Sequence, residues 1–170
     1  MKEVPDEQLM LAYRRGDARA FETLYARHRA RLFRFVLRSI KVRAVAEELY
    51  QEIWMRVIEA RSTYKATARF TTWIYTIAHN RMVDHWRRAG LTQVALDSDD
   101  IPSGDPGPQR QAEGREALAR FAAALESLPA AQREAFLLHE EAGLTVAEIA
   151  AATGSNRKRR KAGCATPWPS

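Results

Sequence analysis

Ala46-Glu-Glu-Leu-Tyr-Gln-Glu-Ile-Trp-Met-Arg-Val-Ile58 is the stretch whose spacing decides the fold. Its residues Ala46, Leu49, Tyr50, Ile53, Trp54, Val57 and Ile58 recur at i, i+3, i+4, i+7, i+8, i+11 and i+12, a continuous apolar stripe along an α-helix. Upstream, Phe21, Leu24, Tyr25, Leu32, Phe35 and Val36 form a looser stripe, and downstream Phe70, Trp73, Ile74 and Ile77 form a third. With a short helix over 6–15, these segments predict a helical bundle that buries its stripes against one another. Tyr75, His79, Met82, Val83 and Trp86 fall roughly opposite the third stripe, so that helix carries a second face that needs a partner.

Glycine and proline mark the next boundary. Only Pro5, Gly16 and Gly90 precede residue 91, whereas Leu96-Asp-Ser-Asp-Asp-Ile-Pro-Ser-Gly-Asp-Pro-Gly-Pro108 is crowded with turn formers and acids and has little to bury. Beyond it lie helices over 117–128, from Pro129 to 141, and over 145–153, with Gly143 between the last two. A helix, a glycine-containing turn and a short alanine-rich helix make the front half of a helix-turn-helix, a pattern shared with purely structural helical hairpins. Thr145 followed by Glu148 is a capping box that sets where the last helix starts. The predicted fold class is therefore all-α. A bundle spans 1–90, an acidic flexible linker 91–114, a small helix-turn-helix domain 115–154 and a basic tail 155–170.

At 170 residues, 46% hydrophobic and 28% charged, the chain suits one ordinary domain or two small ones and is neither wholly disordered nor a large enzyme. The single cysteine, Cys164, excludes an intramolecular disulfide and a cysteine metal cluster. No apolar run approaches the roughly 18 residues of a membrane span, and the first residues lack a signal-peptide core, so a cytoplasmic location without membrane insertion is expected. Charge is divided unevenly. Residues 1–90 hold 18 Lys and Arg against 10 Asp and Glu, residues 116–154 hold 2 against 6, and residues 155–170 hold 5 against none. A basic first domain beside an acidic middle suits a chain that meets nucleic acid with one part only; a merely solvated basic surface is the plainer alternative.

From Ser62 to Arg81, aromatics, hydroxyls and cations interleave, a mixture suited to unstacked bases held by aromatic faces with cations along the phosphates. Phe70 and Trp73 belong to the core stripe. Tyr64, Lys65, Arg69, Thr72, Tyr75, Thr76, His79, Asn80 and Arg81 are the candidate ligands. His79, Asp84 and His85 make a poor metal set, because the two histidines are six apart and share no helix face. His28 and His139 are expected to be ordinary surface or partly buried residues.

Ala46-Glu-Glu-Leu-Tyr-Gln-Glu-Ile-Trp54, Phe70-Thr-Thr-Trp-Ile-Tyr-Thr-Ile-Ala-His-Asn80, Asp84-His-Trp-Arg-Arg88, Leu125-Glu-Ser-Leu-Pro129 and Leu144-Thr-Val-Ala-Glu-Ile-Ala150 together resemble a bacterial extracytoplasmic-function (ECF) sigma factor of the sigma-70 family, over residues 5–154 in order. The resemblance implies a region-2-type bundle and a region-4-type helix-turn-helix domain. It places Glu48, Gln51 and Glu52 on the contact with core RNA polymerase. It assigns the loop 62–69 and the helix after it to reading and melting the −10 element as single strand. The linker would thread toward the polymerase channel, and the second domain, with Thr145 and Glu148 in what remains of its helix-turn-helix, would read −35 duplex. His79 stands where the family usually has Arg. The implied protein directs promoter-specific initiation, has no catalytic chemistry, cofactor or metal of its own, and has an anti-sigma factor as a further partner. The alternative is a stand-alone helix-turn-helix regulator, which needs an intact reading helix and no polymerase face.

After Gly154 the family's recognition helix is missing, and Pro167 and Pro169 could not lie inside one. Shifting the reading frame so that the third base of each codon joins the next two permits Val-Glu-Pro-Glu-Thr-Ala-Lys-Ser-Arg-Leu-Arg-Tyr-Ala-Met-Ala across this boundary, which looks like the absent helix. The tail thus reads as the product of a frame slip near codons 154 to 155, leaving −35 recognition impaired. The other readings are a genuine phosphate-clamping tail or a localisation signal.

Overall fold

The computed structural model describes residues 2–90 and 110–154, with side chains from residue 114 in the second stretch. The linker over 91–109 and the basic tail over 155–170, including Cys164, lie outside the described residues. Among the described residues there are seven α-helices and no strand.

In α1 (Asp6–Arg14), Asp6 and Glu7 occupy the first turn, where the helix dipole favours anions. Asp17 caps α2 (Ala18–Ile40), accepting from the backbone N–H groups of Arg19 at 3.0 Å and Ala20 at 3.4 Å. α3 (Arg43–Glu59) is the helix of the opening stripe, and a 3-10 turn (Ala60–Thr63) leads through a loop to α4 (Phe70–Arg88). The start of α4 is capped from a distance, with the Phe70 N–H donating to Glu7 Oε1 at 2.7 Å. Ala46, Leu49, Ile53, Trp54 and Val57 are buried as the spacing predicts, with Trp54 edge-on to Tyr25 at 4.9 Å and to Phe21 at 5.9 Å.

The second unit comprises α5 (Arg110–Ser127), α6 (Ala130–Ala142) and α7 (Val146–Thr153). α5 starts within the stretch read as linker, because Arg110-Gln-Ala-Glu113 are all helix formers. Gly143, at φ 65°, closes α6, and the Leu144 N–H returns to the Leu138 carbonyl at 3.3 Å. The capping box is complete, with Glu148 N–H to Thr145 Oγ1 at 3.3 Å and Thr145 N–H to Glu148 Oε2 at 2.8 Å.

The second face of α4 finds its partner within the chain. α6 and α7 pack on α4, and α6 packs on α2 as well. Leu137, Leu138, Leu144 and Ala152 share one apolar cluster with Phe35, Ile74, Tyr75 and Met82. Two units separated by a linker in sequence therefore share a core. α5 meets the rest of the chain through a Phe121 to Phe136 ring contact at 5.9 Å and a Lys41 to Glu126 ion pair at 3.2 Å. No helix among the described residues is long and apolar enough to cross a membrane.

Candidate nucleic-acid interface

α3 and α4 display the candidate residues on two separate surfaces. Glu48 and Gln51 are exposed on α3. Glu52, beside them, is half-buried and accepts from Arg81 Nε at 3.2 Å and from Arg81 Nη2. Arg81 therefore faces α3, although sequence reasoning grouped it with the −10 candidates. Its helical phase explains this, since Arg81 lies more than 90° around α4 from Thr76 and Asn80. A shallow groove between α3 and α4 gathers Glu48, Glu52, Arg81, Asp84, His85 and Arg88. Asp84 and His85 sit there, while His79 faces α6, so the three are not gathered into one cluster.

On the other surface, Lys65 and Arg69 are exposed on the loop and Asn80 is exposed on α4. Arg69, Thr72, Thr76 and His79 follow at i, i+3, i+7 and i+10 and so form one stripe. Thr76 donates to the Thr72 carbonyl at 2.6 Å. Thr72 is buried and its hydroxyl has no partner among the described residues.

The two tyrosines differ from the stacking platforms that the sequence suggests. Tyr64 is 2% exposed and packs edge-on to Trp73 at 4.9 Å; burial, then the Glu7 and Asp6 carboxylates, push its hydroxyl up to about 12. Tyr75 is 1% exposed, edge-on to Phe35 at 5.3 Å, and burial together with the Glu141 carboxylate raises its pKa. Neither hydroxyl has a partner among the described residues.

Four charged residues that sequence reasoning did not single out complete this surface. Glu134 and Glu141, both buried on α6, reach His79 Nδ1 in the first case and Arg34 Nε (3.0 Å) with Arg38 in the second. A sequence signal existed, because Glu134, Leu137, Leu138, Glu141 and Ala142 fall at i, i+3, i+4, i+7 and i+8. Two acids inside an apolar stripe require cationic partners. At the start of α7, Glu148 accepts from Arg69 Nη1 at 3.3 Å. Hydrogen bonds within the capping box, chiefly from the Thr145 backbone, hold the Glu148 carboxyl below its ordinary value. Thr145 is exposed.

The sigma-70 region 2 family model matches residues 24–92, and the sigma-70 region 4 model matches residues 118–159. The chain is 32% identical over 146 residues to the RNA polymerase sigma factor CarQ of Myxococcus xanthus, covering 85% of this chain and 83% of that protein. The chain belongs to the ECF branch of the sigma-70 family. As an RNA polymerase sigma factor it acts in transcription initiation. It is also 33% identical over 134 residues to the ferric citrate uptake sigma factor FecI of Escherichia coli, covering 76% of each chain. In fold it resembles CnrH, solved in complex with the cytosolic domain of CnrY, with a TM-score of 0.63 over 94% of this chain and 95% of that one at 24% identity. In this sigma factor the region 2 match thus takes in most of α2 and all of α3 and α4, and the region 4 match takes in the later part of α5 with α6 and α7.

Proposed function

We propose that this sigma factor docks on core RNA polymerase through Glu48 and Gln51 with Glu52 beside them. In the same complex it captures the melted non-template strand of the −10 element with Lys65, Arg69, Thr72, Thr76 and Asn80. The observation that carries this reading is the division of α3 and α4 into two surfaces. An exposed acidic and amide face on α3 suits a protein partner, and a loop-and-helix stripe of cations, hydroxyls and an amide suits a nucleic-acid strand. Tyr64 and Tyr75 support that stripe from beneath, and Arg81 anchors α4 to α3 through Glu52. Thr145 and Glu148 belong to the −35 module, whose duplex reading is weak in this chain because the sequence after Gly154 is not that of a recognition helix. The CnrH–CnrY complex supports an anti-sigma factor as a further, cytoplasmic partner.

The test is reconstitution with core polymerase on promoters selected from genomic DNA by the holoenzyme itself, followed by permanganate footprinting. Thymines in the −10 region become reactive with the wild type. Substitution of Lys65 and Arg69 by Ala lowers that reactivity while leaving polymerase binding intact. Unchanged reactivity removes this surface from promoter melting.

A further inference from the structure

The loop that carries Lys65 and Arg69 has neither helix nor strand to fix its shape. All five residues from 65 to 69 are exposed, between Tyr64 and Phe70, which are buried. Its conformation is therefore set by what holds its two ends, and α1 holds both. Arg14 Nη1 donates to the Tyr64 carbonyl at 3.0 Å, and Glu7 Oε1 accepts from the Phe70 N–H at 2.7 Å. Ahead of the loop, the Arg61 guanidinium lies over the Tyr13 ring of α1, 5.1 Å from its centroid.

Three features indicate that this grip serves the presentation of the loop and not only the stability of the bundle. First, Glu7 and Arg14 stand seven residues apart, two turns and about 10 Å along one face, so a single rigid helix grips both ends. Second, α1 is itself fixed. Met10 and Tyr13 are buried and Asp6 accepts from His28 and Arg27 of α2, which makes α1 a frame for the loop. Third, both contacts end on backbone groups, so they fix the path of the main chain without engaging the Lys65 or Arg69 side chain. The region 2 match begins at residue 24, so the helix that does this lies ahead of it.

We propose that α1 is the positioning element of −10 recognition: Arg14 and Glu7 hold the two ends of the 64–70 segment and so set the arrangement in which Lys65 and Arg69 meet the melted strand. The proposal rests on the −10 reading of this loop given above. A loop held in one shape loses less conformational entropy on binding. A loop released at its ends presents the binding arrangement for only a fraction of the time, and affinity falls by that fraction.

The experiment uses holoenzyme reconstituted with the full chain, on a promoter selected as above and on the same promoter with one −10 base exchanged. R14A and E7A each lower permanganate reactivity of the selected promoter about tenfold and narrow its advantage over the exchanged one, with affinity for core polymerase unchanged. E7Q, whose amide oxygen still accepts from the Phe70 N–H, restores both reactivity and advantage. R14A leaves the cap of α4 whole, so it tests the loop even where E7A unfolds that helix. I53V, a buried truncation on α3, lowers the melting temperature yet keeps wild-type discrimination, which separates positioning from stability. Wild-type discrimination in R14A and E7A, an E7Q as defective as E7A, or an equal loss in I53V overturns the positioning role. Lys65 and Arg69 substitutions that leave holoenzyme melting unchanged instead overturn the underlying −10 reading.

Discussion

His79 of α4 and Glu134 of α6 meet across the boundary between regions 2 and 4, with side chains 15% and 9% exposed. Fifty-five residues apart in sequence, they form one end of the seam that joins the two units. A buried carboxylate deprived of its partner keeps its desolvation cost. Replacing His79 by Ala is therefore expected to destabilise the chain by about 2 kcal/mol. The H79A/E134A double variant should lose clearly less than the sum of the single losses, because neither group is then left stranded. Urea denaturation of the four proteins reads this directly, and strict additivity would show that the two side chains are not coupled.

The proposed polymerase face divides into exposed and tethered residues. E48K with Q51A should weaken binding to core polymerase with the melting temperature unchanged, since both side chains are exposed. E52K should lower the melting temperature as well, because it opposes Arg81, and R81E should restore stability in the E52K background. Fluorescence anisotropy against core polymerase, paired with thermal melts, separates the two effects. Full polymerase affinity in E48K/Q51A would remove this face from the interface.

Tyr64 and Tyr75 act through their rings. Tyr→Phe at either position removes a buried hydroxyl that has no partner among the described residues and should change stability by less than about 1 kcal/mol, neutral or favourable in sign. Tyr→Ala at either should cost about 3 to 5 kcal/mol by leaving a cavity. Holoenzyme carrying either Phe variant should melt promoters normally. A large footprinting defect in Y75F with unchanged stability would instead mark its hydroxyl as a direct DNA ligand.

Asp6 ties α1 to α2, its carboxylate accepting from His28 Nε2 at 2.7 Å and from Arg27 Nη1 at 2.8 Å. Burial alone would raise its pKa, yet these bonds outweigh burial and hold it below the ordinary value of 3.8. A carboxyl lowered on folding stabilises the native state above its unfolded pKa, and that contribution is lost as pH falls through the folded value. D6N should therefore be less stable than the wild type by about 1 to 2 kcal/mol at neutral pH. The difference should shrink below pH 3.8. Denaturant midpoints across pH test this, and a gap that widens toward acid would contradict it.

In the proposed reading, the segment after Gly154 decides whether −35 duplex is read by sequence. Its five cations attract phosphates, but phosphate contacts carry no base information. Duplex binding by this segment should be salt-dependent, with a log–log slope no steeper than about −4.5, and nearly indifferent to the −35 sequence. Restoring the alternative frame from codon 155 should recover discrimination between the −35 element and scrambled duplex in the holoenzyme. An early stop codon in that frame, or discrimination by the present form, would contradict the frame-slip reading.

The local chemistry of this chain was legible without coordinates. The stripe from Ala46 to Ile58 specified a buried helix because a 3.6-residue period places those side chains on one face. The Thr145–Glu148 box specified where α7 begins because both partners lie within one turn. Glu48, Gln51, Lys65 and Asn80, named from the sequence as contact residues, are exposed, since polarity at a surface phase is a local property. What sequence could not decide was which element covers the second face of α4. That pairing joins residues 55 to 107 positions apart, such as His79 to Glu134 and Arg34 to Glu141, and no periodicity within one helix reports a partner on another. The same contacts changed the reading of Tyr75 from an open platform to a core ring and of His79 from a strand-facing residue to half of a seam. Arg81 turned toward Glu52 for the complementary reason: its helical phase was fixed locally, but only the packing of α4 on α3 decided what that phase faced.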